Sequence, residues 1–354
     1  MGSVTGGFTS ESPLHPAARE ILIEAIDRGW ADPSKIHQPS RELALLLEES
    51  KTLIAGHLKV EAGSLHFLGE RNLGYLLGIS GLRSPATEST LFYPTTSRSE
   101  VIAIAEADRL ASAISVDLDG SFICPVGGED DLLAATATNV ETGAYSPDLS
   151  NFQGRIFIDA TADPLASLPA RFSSALWESS SWSGPQGLSI FSLQERQSWR
   201  NPLPHLDHEI VPGGFNPALA IASAVAFDAY VKDWNSRASS TLILNECLRS
   251  FISDEIGDVD IASPKTGAPH FLSFSFLYVD AQQLVDRMSR LGFDLDSGSA
   301  CTSANLEPSH VLAAMGRLTH GNVRVRLHSG LTKNDLLEML TALKIVVEDL
   351  RSNR

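Results

Sequence analysis

The chain has 354 residues, 43% hydrophobic and 20% charged, a balance that supports a fully folded protein with room for two domains and excludes a fibre or a disordered tail. Its formal net charge of -16, from 27 basic against 43 acidic side chains, sets long-range repulsion against a phosphate backbone, so nucleic acid is excluded as a partner class. No stretch approaches the roughly 20 apolar residues of a membrane span. The Gly/Ser/Thr-rich start, Met1 to Ser12, lacks the basic and apolar regions of a signal peptide, and a cytoplasmic protein is expected. Cys124, Cys247 and Cys301 cannot form a closed disulfide framework and are too dispersed for a Cys-x-x-Cys metal site. Any cysteine chemistry then rests on single thiols, with no metal.

In chain order, Ile21, Leu22, Ala25, Ile26 and Trp30 recur at helical spacing after Pro16, and Leu43, Leu46, Leu47, Leu53 and Ile54 do so after Pro39. Both runs predict helices. Arg155 to Asp159 and Leu188 to Ser192 read as buried strands, the serine-rich segment Ser173 to Ser183 as a loop between sheet strands, and Pro217 to Trp234 as a long helix. This alternation predicts an α/β domain with a largely parallel sheet. Beyond the polar stretch Lys232 to Ser240 the pattern changes: Phe271 to Tyr278 and Asn322 to Leu327 alternate with period two, as half-buried strands do. The expected division is an N-terminal segment at 1–20, a large α/β domain at 21–231 and a small C-terminal domain at 232–354. The last helix should start at Thr332, capped with Asp335, and turn Leu336, Leu340, Leu343 and Val347 inward.

Of the three thiols, Cys301 stands among Ser, Thr, Ala and Gly, which favours exposure, whereas Cys124 and Cys247 sit in apolar runs. A lone cysteine is more often inert, and on residue type alone that reading would win. The planar fork of Arg324 suits bidentate carboxylate binding, while Arg326 reads as an ordinary solvated strand arginine.

The run from Ser297 to Ser303, followed by Leu306 to Leu312, closely resembles the active-site cysteine loop of cysteine desulfurases, members of aminotransferase class V. Val323-Arg324 is similar to the family's strand bearing the substrate-carboxylate arginine, and Leu272 to Phe276 to a further family segment. Weaker but collinear likenesses lie in Asp32 to His37, Asn139 to Gly143 and Gly184 to Gly187. The resemblance implies the type I fold of pyridoxal-phosphate-dependent transferases, with a large, mainly parallel sheet domain and a small C-terminal α/β domain. It also implies homodimerisation, persulfide chemistry at Cys301 and carboxylate binding at Arg324.

Aligned this way, the lysine that should hold pyridoxal phosphate is replaced by Ser181, and its preceding histidine by Ser180. A serine cannot form an imine. Glu178 falls at a phosphate-binding serine, Arg98 at a ring-stacking histidine, Ala162 at a ring-contacting glutamine and Gly214 at a threonine that reaches the partner subunit's phosphate. Asp159, at the pyridinium partner's position, Asn139 and Asn216 are the retained cofactor-binding positions. No covalently held cofactor is expected, and pyridoxal phosphate only if bound non-covalently. Three readings stay open. The first is a divergent desulfurase-like protein that accepts or relays persulfide sulfur at Cys301, with a desulfurase or an acceptor protein as partner. The second is a desulfurase still mobilising sulfur from L-cysteine for iron–sulfur clusters or tRNA thiolation, its cofactor non-covalent or supplied by a heterodimeric partner. The third is a structural pseudoenzyme.

Overall fold

Two sheets divide the chain. In the computed structural model the described residues are 7–11, 13–29, 32–33, 35–83, 88–206, 210–211, 214–298, 308–328 and 330–352. The large sheet is built from β1 (Leu65–Leu68), β2 (Leu91–Pro94), β3 (Ala111–Ile114), β4 (Leu132–Thr136), β5 (Arg155–Asp159), β6 (Ser174–Glu178) and β7 (Ser189–Leu193). Its order is β1-β7-β6-β5-β4-β2-β3, and only β7 runs against its neighbours. The small sheet sets β9 (Phe271–Phe276) between β8 (Val259–Ile261) and β10 (Asn322–Arg326), all antiparallel.

Helices cover both faces of the large sheet, so its central strands are apolar throughout and alternate residues enter different cores. On one face Leu133, Ile156, Ile158 and Trp177 meet α1 (Pro16–Arg28), α2 (Gln38–Leu58) and α5 (Pro217–Phe251). On the other, Leu132, Phe157 and Leu176 meet α3 (Arg71–Tyr75) and α4 (Ser99–Ala107). The small sheet packs Leu272, Phe274, Val323 and Val325 against α6 (Ala281–Arg290) and α8 (Lys333–Ser352). The short α7 (His310–Ala314) leads into β10.

Three expectations need correction. The helix expected over 217–234 runs on to Phe251, and the division placed between 231 and 232 lies within this one helix. Its polar middle is no break, because Ala220 to Phe227 lie in the large core while Leu244 and Leu248 lie in the small one. The serine-rich segment expected to be a loop contains β6, whose Ala175, Leu176 and Trp177 are buried between two helix layers that hide the usual polar alternation. β9 is buried on both faces rather than one, since it is the central strand and its serine face receives Asn322.

The N-terminal segment is part of the small domain's packing. Phe8 is buried in the small core, and its backbone binds Asp294 and Arg326. The last helix behaves as its sequence suggests: Thr332 and Asp335 cap each other reciprocally, and Leu336, Leu340, Leu343 and Val347 are fully buried.

Asn322 ties this frame to the segment holding Cys301. Its side-chain amide donates to Ser273 Oγ (3.1 Å) and Phe274 O (3.2 Å), and its Oδ1 accepts from Gly298 N (3.1 Å). A Cβ on Gly298 would sit 2.8 Å from that Oδ1, so the close approach requires glycine. Asn322→Ala strips several buried partners at once and should cost about 2 kcal/mol of unfolding free energy. Equilibrium urea denaturation measures this, and an unchanged midpoint would show the amide to be dispensable.

Candidate functional site: a cavity at the carboxyl ends of β5 and β6

Parallel strands point their carboxyl ends at one edge of the sheet, and there an α/β fold places its ligands. β5 ends at Asp159 and β6 at Glu178, next to a cavity of about 360 Å³. Arg71, Arg98, Glu178, Ser180, Ser181 and Arg326 line its charged and polar wall. Ser10 and Glu11 of the N-terminal segment border it, as do Val140, Thr161 and Ala162.

The turn after β6 is held rigidly. Trp182 stacks on Phe227 of α5 at 4.5 Å between ring centres and donates its indole N–H to Ser223 O (3.1 Å), while Ser179 Oγ lies 2.8 Å from Ser223 Oγ. A Cβ on Gly184 would meet Ser179 Oγ at 2.2 Å, so the return from this turn also needs glycine. Ser181 is thereby fixed on the cavity wall, its hydroxyl donating to Glu178 O (2.7 Å).

Asp159 is buried, and both of its oxygens are taken. Oδ1 accepts from Thr161 N (3.0 Å) and Thr161 Oγ1 (2.6 Å); Oδ2 accepts from the Tyr75 hydroxyl (2.9 Å) and forms an ion pair with Arg98 Nε (3.4 Å). Three donors thus hydrogen-bond to a carboxylate with about four acceptor positions, and Arg98 faces it as a cation. Burial opposes the charge of Arg98, but Tyr75 and Asp159 outweigh it and hold its pKa above the ordinary value. Burial and the Asp159 charge push the Tyr75 phenol far up, keeping it a donor. Arg71 bridges two carboxylates, Glu178 at 3.0 Å and Glu100 at 2.7 Å, and these outweigh its burial to raise its pKa.

Of the residues singled out in sequence, Ser181, Glu178, Arg98 and Ala162 come together on this wall, with Asp159 directly behind Arg98. Asn139 does not join them: its amide is consumed by Thr96 O, Glu141 N and Thr142 in a buried turn. Asn216 caps α5 through Ala218 N (2.9 Å). Arg324 binds Ser297 O (3.0 Å) and approaches Glu141 (3.8 Å), and the arginine on the wall is Arg326, expected above to be solvated. The two share one strand face, and the cavity falls at the farther one. Cys301 lies outside the described residues. Cys124 and Cys247 are half-buried, and burial with Asp148 nearby raises the Cys124 thiol. Sequence reading missed Arg71, Tyr75 and Arg326, whose partners lie far away along the chain.

These residues do not fit pyridoxal phosphate. Among the described residues no lysine lines the cavity; Asp159 already faces the cation of Arg98; and Glu178 with its arginine stands at the place the resemblance gives the phosphate.

A large, mainly parallel sheet with a small C-terminal α/β unit, its cavity at the strand ends, is the type I fold of pyridoxal-phosphate-dependent transferases. No protein-family model matches the chain. It is 24% identical over 375 residues to the cysteine desulfurase IscS of Dictyoglomus turgidum, covering 98% of this chain and 94% of that protein. It is 40% identical over 180 residues to the cysteine desulfurase IscS of Acinetobacter baumannii (strain AYE), 48% of this chain and 43% of that one. Among solved structures a NifS-like protein superposes with a TM-score of 0.86 at 18% identity, over 97% of this chain and 99% of the other. Over nearly its whole length the chain is thus similar to cysteine desulfurases.

Two histidines flank this frame as neutral rings. Burial first, then Lys51 and Arg196, holds His66 at about 4; burial first, then Arg326, holds His328 at about 4, against an ordinary 6.5. The unfolded chain therefore binds protons in a range where the folded one refuses them. The stability this represents is present above pH 6.5 and is lost as pH falls toward 4. Between about pH 7 and about pH 5 the loss should be on the order of 1–2 kcal/mol per histidine. Urea midpoints at the two pH values measure it, and His328→Gln should flatten the dependence. An equally steep dependence in that variant would assign it to other groups.

Proposed function

We propose that this chain serves sulfur transfer as a divergent relative of cysteine desulfurases, without pyridoxal phosphate catalysis, by accepting or relaying persulfide sulfur at Cys301. The observation that carries this reading is the cavity wall, where Ser180 and Ser181 stand and no lysine does. In the transfer, the Cys301 thiolate attacks the outer sulfur of a donor protein's persulfide; a new S–S bond forms on Cys301, the donor's S–S bond breaks, and the donor leaves as a thiolate. The step is redox-neutral and needs no cofactor. A cytoplasmic homodimer working beside a desulfurase or an acceptor protein suits this role.

The relatives favour a second reading. The proteins that align with the chain from end to end are named cysteine desulfurases, which supports an enzyme still mobilising sulfur from L-cysteine, its cofactor held non-covalently or by a heterodimeric partner. The two readings part on one measurement. After incubation with pyridoxal phosphate and borohydride reduction, intact-mass analysis should show no cofactor adduct, and L-cysteine should yield no alanine beyond the buffer control. An adduct on any lysine, or sustained alanine formation, decides for the second reading.

The relay is tested on the thiols themselves. Incubated with a persulfide-loaded desulfurase and, separately, with a small-molecule persulfide donor, Cys301 should take sulfur preferentially from the protein donor, as mapped by mass spectrometry. Equal labelling from both donors would mean an exposed thiol without recognition, and labelling mainly at Cys124 or Cys247 would remove the role from Cys301.

A further inference from the structure

Strands β3 and β4 flank β2 in parallel, and a connection between such strands ordinarily passes through a covering helix. The loop 115–131 that joins them contains none among the described residues. It is fixed from beneath instead. Phe122 is buried in the large core and Val116 and Cys124 pack against it, so Ile123 turns outward between two inward residues. At the tip, Asp117 N donates to Ser121 O (2.8 Å) and Gly120 N to Asp117 O (2.9 Å). A Cβ on Gly120 would lie 2.9 Å from Ala144 Cβ and 3.5 Å from Met315 Cε, which seats this turn against the end of α7. Arg317 Nε donates to Leu118 O (2.8 Å) and closes the same contact.

Large apolar side chains are thereby held in water on an anchored backbone: Ile123 is 87% exposed, Val126 64% and Leu118 58%. Three in one loop have the character of an interface centre rather than of apolar residues scattered singly over a surface. The charges around them are of one sign. From Leu110 to Gly154 the chain has no lysine, arginine or histidine, against seven acidic residues. Asp117 and Asp119 flank Leu118, Glu129 follows Val126, and Asp148 lies near Cys124. None of these four carboxylates is in an ion pair among the described residues, and Arg317, the cation at the turn, is already bound to Asp260 (2.9 Å).

A second copy of the chain would set the same acids face to face, and like charges across an interface oppose association. A partner with a basic rim gains attraction at the edge and apolar burial at the centre. The surface is also continuous with the chain that carries the cysteine, because α7 begins nine residues beyond Cys301 and its end supports the turn.

We infer that the loop 115–131 is the docking surface for a protein with an apolar face and a basic rim, the protein that exchanges sulfur with Cys301. The partner's role rests on the relay reading proposed above.

A labelled amphipathic helical peptide of leucine and lysine, and its leucine–glutamate counterpart, titrated into the full-length protein and followed by fluorescence anisotropy, test the surface. The lysine peptide should bind saturably and more weakly as salt rises, and the glutamate peptide should not bind. The double variant Ile123→Ser, Val126→Ser should bind the lysine peptide about tenfold more weakly. Asp117→Asn with Asp119→Asn should lose part of the salt dependence, whereas Leu291→Ser with Ile345→Ser, exposed apolar positions of the small domain, should bind as the wild type does. All six side chains are exposed, so these variants should keep the fold. In the serine variant at 123 and 126, persulfide transfer to Cys301 from the loaded desulfurase should fall about tenfold, and transfer from the small-molecule donor should stay unchanged.

Equal binding of the two peptides, unchanged affinity in both the serine and the asparagine variants, or an equal loss in the small-domain control would overturn the surface. So would a dimer that dissociates in the serine variant on analytical ultracentrifugation, which would assign this face to a second copy. Undiminished transfer from the desulfurase to Cys301 in the serine variant would overturn the partner's role. If wild-type Cys301 accepts no sulfur from the protein donor, the relay reading and the partner's role fail together, while the peptide titrations still decide the surface.

Discussion

One helix serves two cores, and that constraint fixes everything at the cavity. α5 is 35 residues long, roughly 50 Å of continuous helix. Its first half, through Ala220, Ala222, Ala224 and Phe227, closes one face of the large sheet; its second half, through Leu244 and Leu248, closes the small sheet's core. A rigid rod buried at both ends sets where β10 stands relative to β5 and β6. Arg326 and Asp159 belong to different domains, yet they stand beside one space because both domains are registered on the same helix.

On that frame the charged side chains at the carboxyl ends of β5 and β6 pair with one another. A type I site built for pyridoxal phosphate has to hold a cationic ring and a dianionic phosphate. Here Tyr75 and Thr161 donate to the carboxylate that would address the ring, Arg98 pairs with it, and Arg71 pairs with the glutamate at the place the resemblance gives the phosphate. Such compensation distinguishes replacement from loss. If only the lysine had been removed, Asp159 would be left as a buried carboxylate lacking its cation, a costly arrangement. Instead the substitutions form matched pairs, Glu178 with Arg71 and Arg98 with Asp159.

How much of this was legible in the sequence depends on the range of the interaction. Local signals read correctly: Arg155 to Asp159 forms a strand over those residues, and the Thr332–Asp335 cap and the inward leucines of α8 follow from spacing alone. The long resemblance around Cys301 brought the fold with it, and Ser181, Glu178 and Arg98, singled out from the weaker likenesses upstream, lie on the cavity wall. Burial of whole strands was not legible, because a polar-looking run such as Ser173 to Ser183 hides a strand covered on both sides. Nor was the choice between Arg324 and Arg326, since strand periodicity puts both on one face and only the position of the cavity separates them. Arg71 was missed for the same reason: its partner Glu178 lies 107 residues away.

Arg324 and Arg326 divide two tasks on that one face. Arg324 holds Ser297 O and approaches Glu141, while Glu141 accepts from Ser309 Oγ at 2.7 Å. Ser309 directly, and Ser297 through an arginine, are therefore both joined to the same glutamate. The anchor belongs to Asn139 to Gly143, a turn of the large domain whose buried asparagine donates to Thr96 O and accepts from Glu141 N and Thr142 N. The turn that resembles a cofactor contact in sequence is thus closed by its own hydrogen bonds, and through Glu141 it holds Ser309 and meets Arg324, which joins the large sheet's loop to the small sheet's strand.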